Sequence, residues 1–228
     1  MSMQFYEDGL SKVDSSKLMG KLIVLEGPDG SGRSTQIEMI SRWLESEGHF
    51  VENVGIKRSM LVSEELAEAQ SGNILSRRTM SLFYATDFAD QLENKMIPAL
   101  KAGAIVLADR YFYTLMARDM VRGASLEWLE KLFGFAIVPD IVFYLKIAPD
   151  VLIERNLANK FQLNYWESGM DLGLADNIYD SFIDYQIRMH GAFIQLQKKY
   201  HFHIVDGNHD PNVIFQSIKT TLEGLIRK

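Results

Sequence analysis

A glycine-rich loop between a buried strand and a helix constrains the fold of this 228-residue chain more than any other feature. The apolar run at residues 22–25 predicts a buried strand, and the apolar spacing that follows Thr35 predicts a helix. Between them lies Gly27-Pro28-Asp29-Gly30-Ser31-Gly32-Arg33-Ser34. This sequence matches the phosphate-binding pattern G-x-x-x-x-G-K-[ST] at every constrained position but one, where Arg33 replaces lysine.

A strand-to-helix turn of this kind suits a phosphate group. Its glycines let backbone N–H groups curl around phosphate oxygens, and the start of the helix adds a positive partial charge. The hydroxyl of Ser34 is placed to reach a phosphate-bound Mg²⁺. Arg33 keeps a permanent charge and binds phosphate bidentately, but it is bulkier and less flexible than lysine. We therefore expect phosphate binding at residues 27–35, with the efficiency of phosphoryl transfer depending on Arg33.

Composition is typical of one medium-sized α/β domain. The chain is 47% hydrophobic and has no cysteine, which excludes disulfides and thiolate metal sites. Its net charge of −6 argues against nucleic-acid binding. No apolar segment approaches the roughly 20 residues that span a bilayer, and the N-terminus lacks the layout of a signal peptide. We expect a soluble cytoplasmic protein.

Apolar strand patterns alternate with longer helical patterns, which predicts a parallel sheet covered on both faces. The predicted strands span residues 22–25, 50–54, 105–107, 141–145 and 202–205. The predicted helices span residues 36–47, 64–70, 79–101, 126–135, 149–158, 181–200 and 211–225. The fold class is α/β, a three-layer P-loop fold with a five-stranded parallel sheet flanked by helices. Residues 1–19 form an N-terminal extension, and residues 20–228 form a single domain.

Charged side chains follow two of the predicted strands, at the sheet edge where such folds bind ligands. Lys57 and Arg58 come after the second strand, and Asp109 and Arg110 come after the third. An aspartate at this point often organises the metal of a P-loop enzyme. We expect Asp109 to serve Mg²⁺ together with Ser34.

Several further motifs accompany the loop. They are Leu82-Phe83-Tyr84-Ala85-Thr86-Asp87, Ile97-Pro98-Ala99-Leu100, Asp109-Arg110-Tyr111, Pro139-Asp140, Tyr144-Leu145 and Arg155. With these motifs the chain resembles the thymidylate kinase family of nucleoside monophosphate kinases, from about Gly20 onward. The resemblance implies a homodimeric enzyme that uses Mg²⁺ and transfers the γ-phosphoryl group of ATP to dTMP or a related nucleoside monophosphate.

The resemblance also implies roles for individual residues. Asp29 matches a contact to the acceptor sugar, Tyr84 an aromatic ring that stacks on the acceptor base, and Arg110 an arginine on the acceptor phosphate; spacing alone favours a core role for Tyr84. The predicted catalytic residues are Arg33, Asp109 and Arg110. The predicted ATP-binding residues are Gly27, Pro28, Asp29, Gly30, Ser31, Gly32, Arg33, Ser34, Thr35 and Arg155. The predicted acceptor-binding residues are Asp29, Lys57, Arg58, Tyr84, Phe88, Arg110 and Arg118.

Departures from the family pattern cluster in the acceptor region. Phe88 stands where the family has an arginine that reaches the base, Arg118 where it has a tyrosine near the sugar, and Lys57-Arg58-Ser59 replaces a proline-glycine loop. The lid, at about residues 156–171, contains Lys160 and the pair Tyr165-Trp166, which we expect to pack the closed lid rather than bind a base.

Two alternative functions stay open at this point. A catalytically weak nucleotide sensor would keep phosphate binding without transfer, and Arg33 and the altered acceptor region favour it. A switch-type GTPase is less compatible with the chain, because Asn159-Lys160 is followed by Phe161-Gln162 and not by the remainder of the guanine-binding Asn-Lys-x-Asp.

Overall fold

The predicted strands form one parallel five-stranded sheet in a computed structural model that describes residues 3–10, 13–72, 75–158, 163 and 165–226. The strands are β1 (Lys21–Glu26), β2 (Val51–Gly55), β3 (Ile105–Asp109), β4 (Ile141–Lys146) and β5 (His203–Asp206). Their order across the sheet is β2-β3-β1-β4-β5. Because β1 lies between β3 and β4, a crevice opens at its carboxyl end, where the glycine-rich loop begins.

Helices cover both faces of the sheet. Within the described residues these are α1 (Arg33–Ser46), α2 (Ser63–Gly72), α3 (Arg77–Gln91), α4 (Ile97–Lys101), α5 (Phe112–Val121), α6 (Leu126–Phe133), α7 (Pro149–Ala158), α8 (Ile178–Tyr200) and α9 (Pro211–Ile226). None of them is long and apolar enough to cross a bilayer. The predicted α/β fold with a five-stranded parallel sheet is confirmed.

The central strand β1 supplies both halves of the core. Leu22 and Val24 face the side covered by α3, α5 and α8, whereas Ile23 and Leu25 face the side covered by α1 and α9. All four side chains are fully buried. This burial on both faces explains why the strand reads as a continuous apolar run.

Two helical segments differ from the prediction. The helix expected at 79–101 is divided by a π turn, Leu92–Met96, directly before α4. Pro98 has no N–H to continue the α-helical pattern, and a wider turn accommodates that loss. Helix α5 was not predicted at all. Its residues from Phe112 to Ala117 are all buried, so the sequence lacks the alternation of apolar and polar faces that marks a surface helix.

The N-terminal segment 3–10 packs against the domain. The N–H groups of Tyr6 and Glu7 donate to the carbonyls of Ala136 and Gly134, at 3.1 and 2.8 Å. The Tyr6 ring contacts Phe112 and Tyr200, and its hydroxyl forms a 2.5 Å hydrogen bond with that of Tyr113. The segment therefore braces α5, the helix that follows Asp109-Arg110-Tyr111. The predicted domain boundary after residue 19 stays a prediction.

We expect Tyr6→Ala to lower the free energy of unfolding by about 2–3 kcal/mol, because it removes a half-buried ring and a hydrogen bond to α5. Urea unfolding measures this loss. The matched control is Tyr179→Ala, since the Tyr179 side chain is exposed on α8. Equal stability of the two variants would show that the segment does not support the domain.

Candidate active site

The glycine-rich loop joins β1 to α1 through backbone conformations that other residues rarely adopt. Gly30 and Gly32 have φ of 80° and 84°. Gly32 precedes α1 and provides no side chain to cap it, so the first-turn N–H groups of the helix face the loop. This arrangement is a ready-made site for a phosphate group.

Arg33 turns its guanidinium back into this loop. One terminal nitrogen donates to the carbonyl oxygens of Gly27 and Pro28, the latter at 2.6 Å, and Nε donates to Asp109 at 2.9 Å. Only 8% of the residue is exposed. In this structure, therefore, Arg33 holds the loop closed against β3, and a phosphate in the loop competes with two carbonyls for the guanidinium.

Asp109 lies beside the glycine-rich loop. Besides Arg33, it is approached by Ser34 Oγ at 3.4 Å and by a terminal nitrogen of Arg58 at 3.6 Å. Oxygen ligands from Ser34 and Asp109 thus lie together where the sequence predicted a metal site. Magnesium prefers such oxygen ligands, so these residues fit it.

A second carboxylate, Asp29, gathers three arginines. It accepts from Arg110, while terminal nitrogens of Arg118 and Arg33 lie 3.6 and 3.9 Å from its oxygens. Burial raises the pKa of Asp29, but the positive charges of these arginines outweigh burial and hold that pKa below its usual value. The cluster carries an excess of positive charge, which suits a polyanionic ligand.

Arg110 is held in an unusual conformation. Its φ is 69°, and its backbone N–H donates to the carbonyl of Leu25 at 2.9 Å. Its Nε is buried and has no hydrogen-bond partner among the described residues. Burial and the neighbouring charge of Arg33 both lower the pKa of this guanidinium. A buried, unpaired donor of this kind is costly and indicates a missing acceptor, such as a phosphate oxygen.

Glu26 fixes the position of the segment that carries Arg110. Its side chain is fully buried, and it accepts from the N–H groups of Tyr111 at 2.9 Å and Thr114 at 3.3 Å. Its second oxygen accepts from the Thr114 hydroxyl at 2.5 Å. Glu26 therefore caps the start of α5 from the end of β1. Sequence reasoning missed this role, although Glu26 directly precedes the glycine-rich loop in the sequence.

Burial raises the pKa of the Glu26 carboxyl to about 7, against the opposing influence of its hydrogen bonds to Thr114 and Tyr111 and the charges of Arg33 and Arg110. An acid whose pKa rises on folding binds its proton more tightly in the folded protein. Its contribution to stability is therefore complete below about pH 4.5 and declines as the pH rises through about 7.

Glu26→Gln keeps an acceptor oxygen and cannot ionise. We expect the free energy of unfolding of this variant, relative to that of the wild type, to increase by about 2–3 kcal/mol from pH 5 to pH 8. Urea unfolding at both pH values measures the change in this difference. Glu38→Gln, at an exposed site on α1, is the control and shows no such change. Parallel pH profiles for Glu26→Gln and the wild type would contradict the assignment.

A small cavity of about 40 Å³ adjoins the arginine cluster. Its lining residues come from α2, α3, α5 and the segment after α7, and they are Gln70, Arg77, Met80, Tyr84, Leu115, Arg118, Asp119, Arg122 and Trp166. Its lining combines aromatic and apolar side chains with charged groups, the kinds of side chain that contact a nucleotide base, but its volume is smaller than a whole base. Burial raises the pKa of Asp119 to about 6, although Ser81, Arg122 and Arg118 act in the opposite direction.

Two predicted acceptor residues occupy different surroundings. Tyr84 lines this cavity while only 8% of it is exposed, so it belongs to both the core and the cavity wall. Phe88 lies in the core instead, where its ring packs against Tyr111, Phe112 and Phe133. One helical turn separates the two side chains, and only Tyr84 reaches the cavity. The structure therefore does not bring Phe88 to the site.

The loop after β2 is anchored to α3 by two carboxylates. Asp87 accepts from the N–H groups of Lys57 at 2.9 Å and Ser59 at 3.0 Å, and Asp90 accepts from the Ser59 hydroxyl at 2.6 Å. These bonds hold Arg58 near Asp109. The sequence shows that Asp87 and Asp90 are three residues apart and so share one face of a helix. It does not show which N–H and hydroxyl groups they bind.

Arg122 connects the segment at residues 165–171 to α5 and α8. It donates to both oxygens of Asp171 and to the carbonyl of Trp166, each at 2.9 Å, and to the Tyr185 hydroxyl at 2.9 Å. The rings of Trp166 and Tyr185 lie 5.7 and 5.2 Å from its guanidinium carbon. Trp166 Nε1 also donates to the carbonyl of Gln70 at 2.7 Å. These contacts hold this part of the lid against α2, α5 and α8, where Trp166 lines the cavity.

We expect Arg122→Lys to raise the amide hydrogen-exchange rates of residues 165–171 about tenfold or more, since lysine cannot bind Asp171 with two parallel hydrogen bonds. Mass spectrometry of exchanged peptides measures the effect. Arg188→Lys, on the exposed side of α8, serves as control. Unchanged exchange in Arg122→Lys would mean that the segment is held by other contacts.

The remaining predicted residues are less closely grouped. Thr35 lies in the first turn of α1, next to Ser34, and Arg155 lies half-buried on α7. Lys160, and with it residues 159–162 and 164 of the predicted lid, lies outside the described residues. Lys57 and Arg118 both lie near Asp29, where the charges of Arg118, Arg110 and Asp29 act on Lys57.

Comparison with known proteins decides the family. The family model for thymidylate kinase matches residues 25–218. The chain belongs to the thymidylate kinase family. It is 35% identical to the probable thymidylate kinase 2 of Saccharolobus solfataricus, over 84% of this chain and 90% of that protein. It is 30% identical to the thymidylate kinase of Carboxydothermus hydrogenoformans, over 91% of this chain and 99% of that protein.

A third relative, the probable thymidylate kinase of Thermococcus kodakarensis, is 27% identical over 90% of this chain and 98% of that protein. The match to the family model, at residues 25–218, includes the loop, the cavity and the arginine cluster. The family resemblance read from the motifs is confirmed, and so is the enzyme class: this protein is a thymidylate kinase-like nucleoside monophosphate kinase, a transferase.

Proposed function

We propose that this enzyme transfers the γ-phosphoryl group of ATP to dTMP and releases ADP and dTDP. The buried and unpaired Nε of Arg110 carries this proposal, because it has no hydrogen-bond acceptor within the part of the chain that the structure describes. Asp29 joins Arg110 to Arg118, and Arg118 lines the adjoining cavity together with Tyr84 and Trp166. The phosphate of a monophosphate would thus meet Arg110 while its base enters the cavity. The names of the relatives support dTMP as that monophosphate.

The donor nucleotide occupies the glycine-rich loop in this proposal. The amides of residues 27–35 bind its phosphates, and Arg33 moves its guanidinium from the carbonyls of Gly27 and Pro28 to the β- and γ-phosphate oxygens. Arg155 approaches from α7. Ser34 and Asp109 would hold Mg²⁺, which neutralises charge on the phosphates when bound.

The acceptor occupies the opposite side of the arginine cluster. Arg110, with Arg58 and Lys57 from the anchored β2 loop, binds its phosphate, and Asp29 and Arg118 contact its sugar. Tyr84 faces its base from the cavity wall. We assign Phe88 a supporting role, since it packs behind Tyr111 and keeps the Arg110 segment in place.

Such a site needs no general base. The phosphate of the acceptor is already ionised at neutral pH, so the reaction depends on alignment and on neutralising charge. Four arginines around Asp29 and Asp109 supply that charge. The lid segment at residues 165–171, held by Arg122, would help to exclude water from the transferring phosphoryl group.

The assay that tests the proposal measures ADP release from purified protein with ATP, Mg²⁺ and a panel of deoxy- and ribonucleoside monophosphates. We expect dTMP to be phosphorylated in preference to the others. A different preferred monophosphate would correct the substrate. Absence of ADP with every acceptor, despite tight ATP binding, would favour the nucleotide sensor, for which the inward-turned Arg33 is the supporting observation.

We expect Arg33→Lys to lower kcat by tens- to hundreds-fold, on the order of 2–3 kcal/mol, because lysine loses one of two aligned contacts to the phosphates. Steady-state kinetics with saturating dTMP measures this effect. Arg42→Lys, on the exposed side of α1, is the control. A faster Arg33→Lys enzyme would show instead that arginine impairs an originally lysine-dependent loop.

We also propose a cytoplasmic homodimer. Met60, Leu61 and Leu82 expose 90%, 64% and 48% of their surface, and a second copy of the chain would cover apolar area of this kind. Analytical ultracentrifugation gives the mass in solution. A sedimentation coefficient for a 26.0 kDa monomer at micromolar concentration would exclude the dimer.

A further inference from the structure

A second and larger cavity adjoins the cavity of about 40 Å³ described above, which we now call the acceptor cavity. It measures about 400 Å³ and is bounded by the start of α3, the end of α5 and the start of α6. Its lining residues are Arg77, Arg78, Ser81, Asp119, Arg122, Gly123, Ala124, Ser125 and Trp128, and we call it the rear chamber. Arg77, Asp119 and Arg122 also line the acceptor cavity, so these three side chains form a shared wall.

The rear chamber is positively charged in a protein whose net charge is −6. Three arginines line it against one carboxylate, Asp119. Arg122 is neutralised by Asp171, but Arg77 donates only to the backbone carbonyls of Arg122 and Asp171, at 3.2 and 3.3 Å. Arg77 and Arg78 thus form no ion pair within the described part of the chain, and both are exposed.

An aromatic ring completes the rear chamber. The guanidinium carbon of Arg78 lies 5.6 Å from the centre of the Trp128 ring. Trp128 lies in the first turn of α6, where Ser125 caps the helix by accepting from the Trp128 N–H at 3.3 Å. The positive end of α6 therefore adds to the charge of Arg77 and Arg78. The rear chamber thus combines two guanidinium groups without a carboxylate partner, a helix N-terminus and an aromatic ring. Groups of these kinds bind phosphate esters in proteins.

We propose that the rear chamber binds a small phosphate ester, with its phosphate on Arg77 and Arg78 and its organic part against Trp128. Arg77 and Arg78 both line the chamber, and their guanidinium groups can bind a phosphate dianion with charge-assisted hydrogen bonds without giving up a carboxylate partner. A volume of about 400 Å³ leaves room for an organic group beside the phosphate. This site adjoins the acceptor cavity through the shared wall, lies outside the glycine-rich loop, and goes beyond the proposed function.

Calorimetric titration with phenyl phosphate tests the site. Saturating dTMP and Mg²⁺ with a β,γ-imido analogue of ATP first fill the catalytic cleft. We expect one further equivalent of phenyl phosphate to bind, and Arg78→Gln to weaken this binding about tenfold through loss of one charge-assisted contact. Arg42→Gln, at an exposed position on α1, is the matched control and binds like the wild type. Equal affinity of Arg78→Gln and the wild type overturns the proposal.

Inorganic phosphate, titrated in the same way, distinguishes an ester from the free ion. We expect it to bind at least several-fold more weakly than phenyl phosphate, and Trp128→Phe to reduce the affinity for phenyl phosphate alone. Equal affinity of the two ligands overturns the assignment of an ester. Failure of the proposed function is seen separately, as absence of dTMP phosphorylation, and leaves the comparison of Arg78→Gln with Arg42→Gln readable. Arg78→Gln itself keeps the wild-type kcat in the absence of phenyl phosphate.

Discussion

A carboxyl group without access to water, that of Glu26, links the two halves of the catalytic cleft. Glu26 is the last residue of β1, directly before the glycine-rich loop. Its carboxyl group accepts from the N–H groups of Tyr111 and Thr114 at the start of α5. One side chain therefore fixes two parts of the site relative to each other. They are the loop that binds the phosphoryl donor and the segment that carries Asp109 and Arg110. Burying a carboxyl is costly, and three hydrogen bonds and the nearby arginines offset only part of this cost, since the pKa of Glu26 is still raised to about 7. Rigid placement of both substrates depends on this contact.

Electrostatics completes what Glu26 positions. Asp29 and Asp109 act as hubs between which Arg33, Arg58, Arg110 and Arg118 are distributed. The four guanidinium groups repel one another and are kept close by three carboxylates, since Glu167 also lies 3.6 Å from a terminal nitrogen of Arg118. Such a cluster suits ligands that bring several negative charges, although the guanidinium of Arg33 must leave the carbonyls of Gly27 and Pro28 when the phosphates arrive. Because the whole chain has a net charge of −6, the cleft is a positively charged region on an otherwise negative protein, and anionic ligands are attracted to the cleft.

The sequence predicted those parts of the fold that repeat a regular pattern. All five strands and the loop residues were found because apolar runs and glycine spacing report local backbone structure. Helix α5 was missed because its burial on every side erases the helical period, and the π turn was missed because only hydrogen-bond geometry defines it. In the site, Arg110 and Tyr84 followed from motif position. The partners of Arg122 and Asp87 did not, since Asp171 and the Lys57 loop meet them only through tertiary packing.

The π turn before α4 also has a consequence for how the gene tolerates change. A π turn holds one residue more than an α-helical turn, and here that residue lies within Leu92–Met96. Removing one residue from this turn would restore a regular helix and leave Phe88 and Leu100 facing the core on either side. Removing one from the middle of α3 would instead rotate Tyr84 away from its cavity. Length variation among related chains is therefore most compatible with function at this turn.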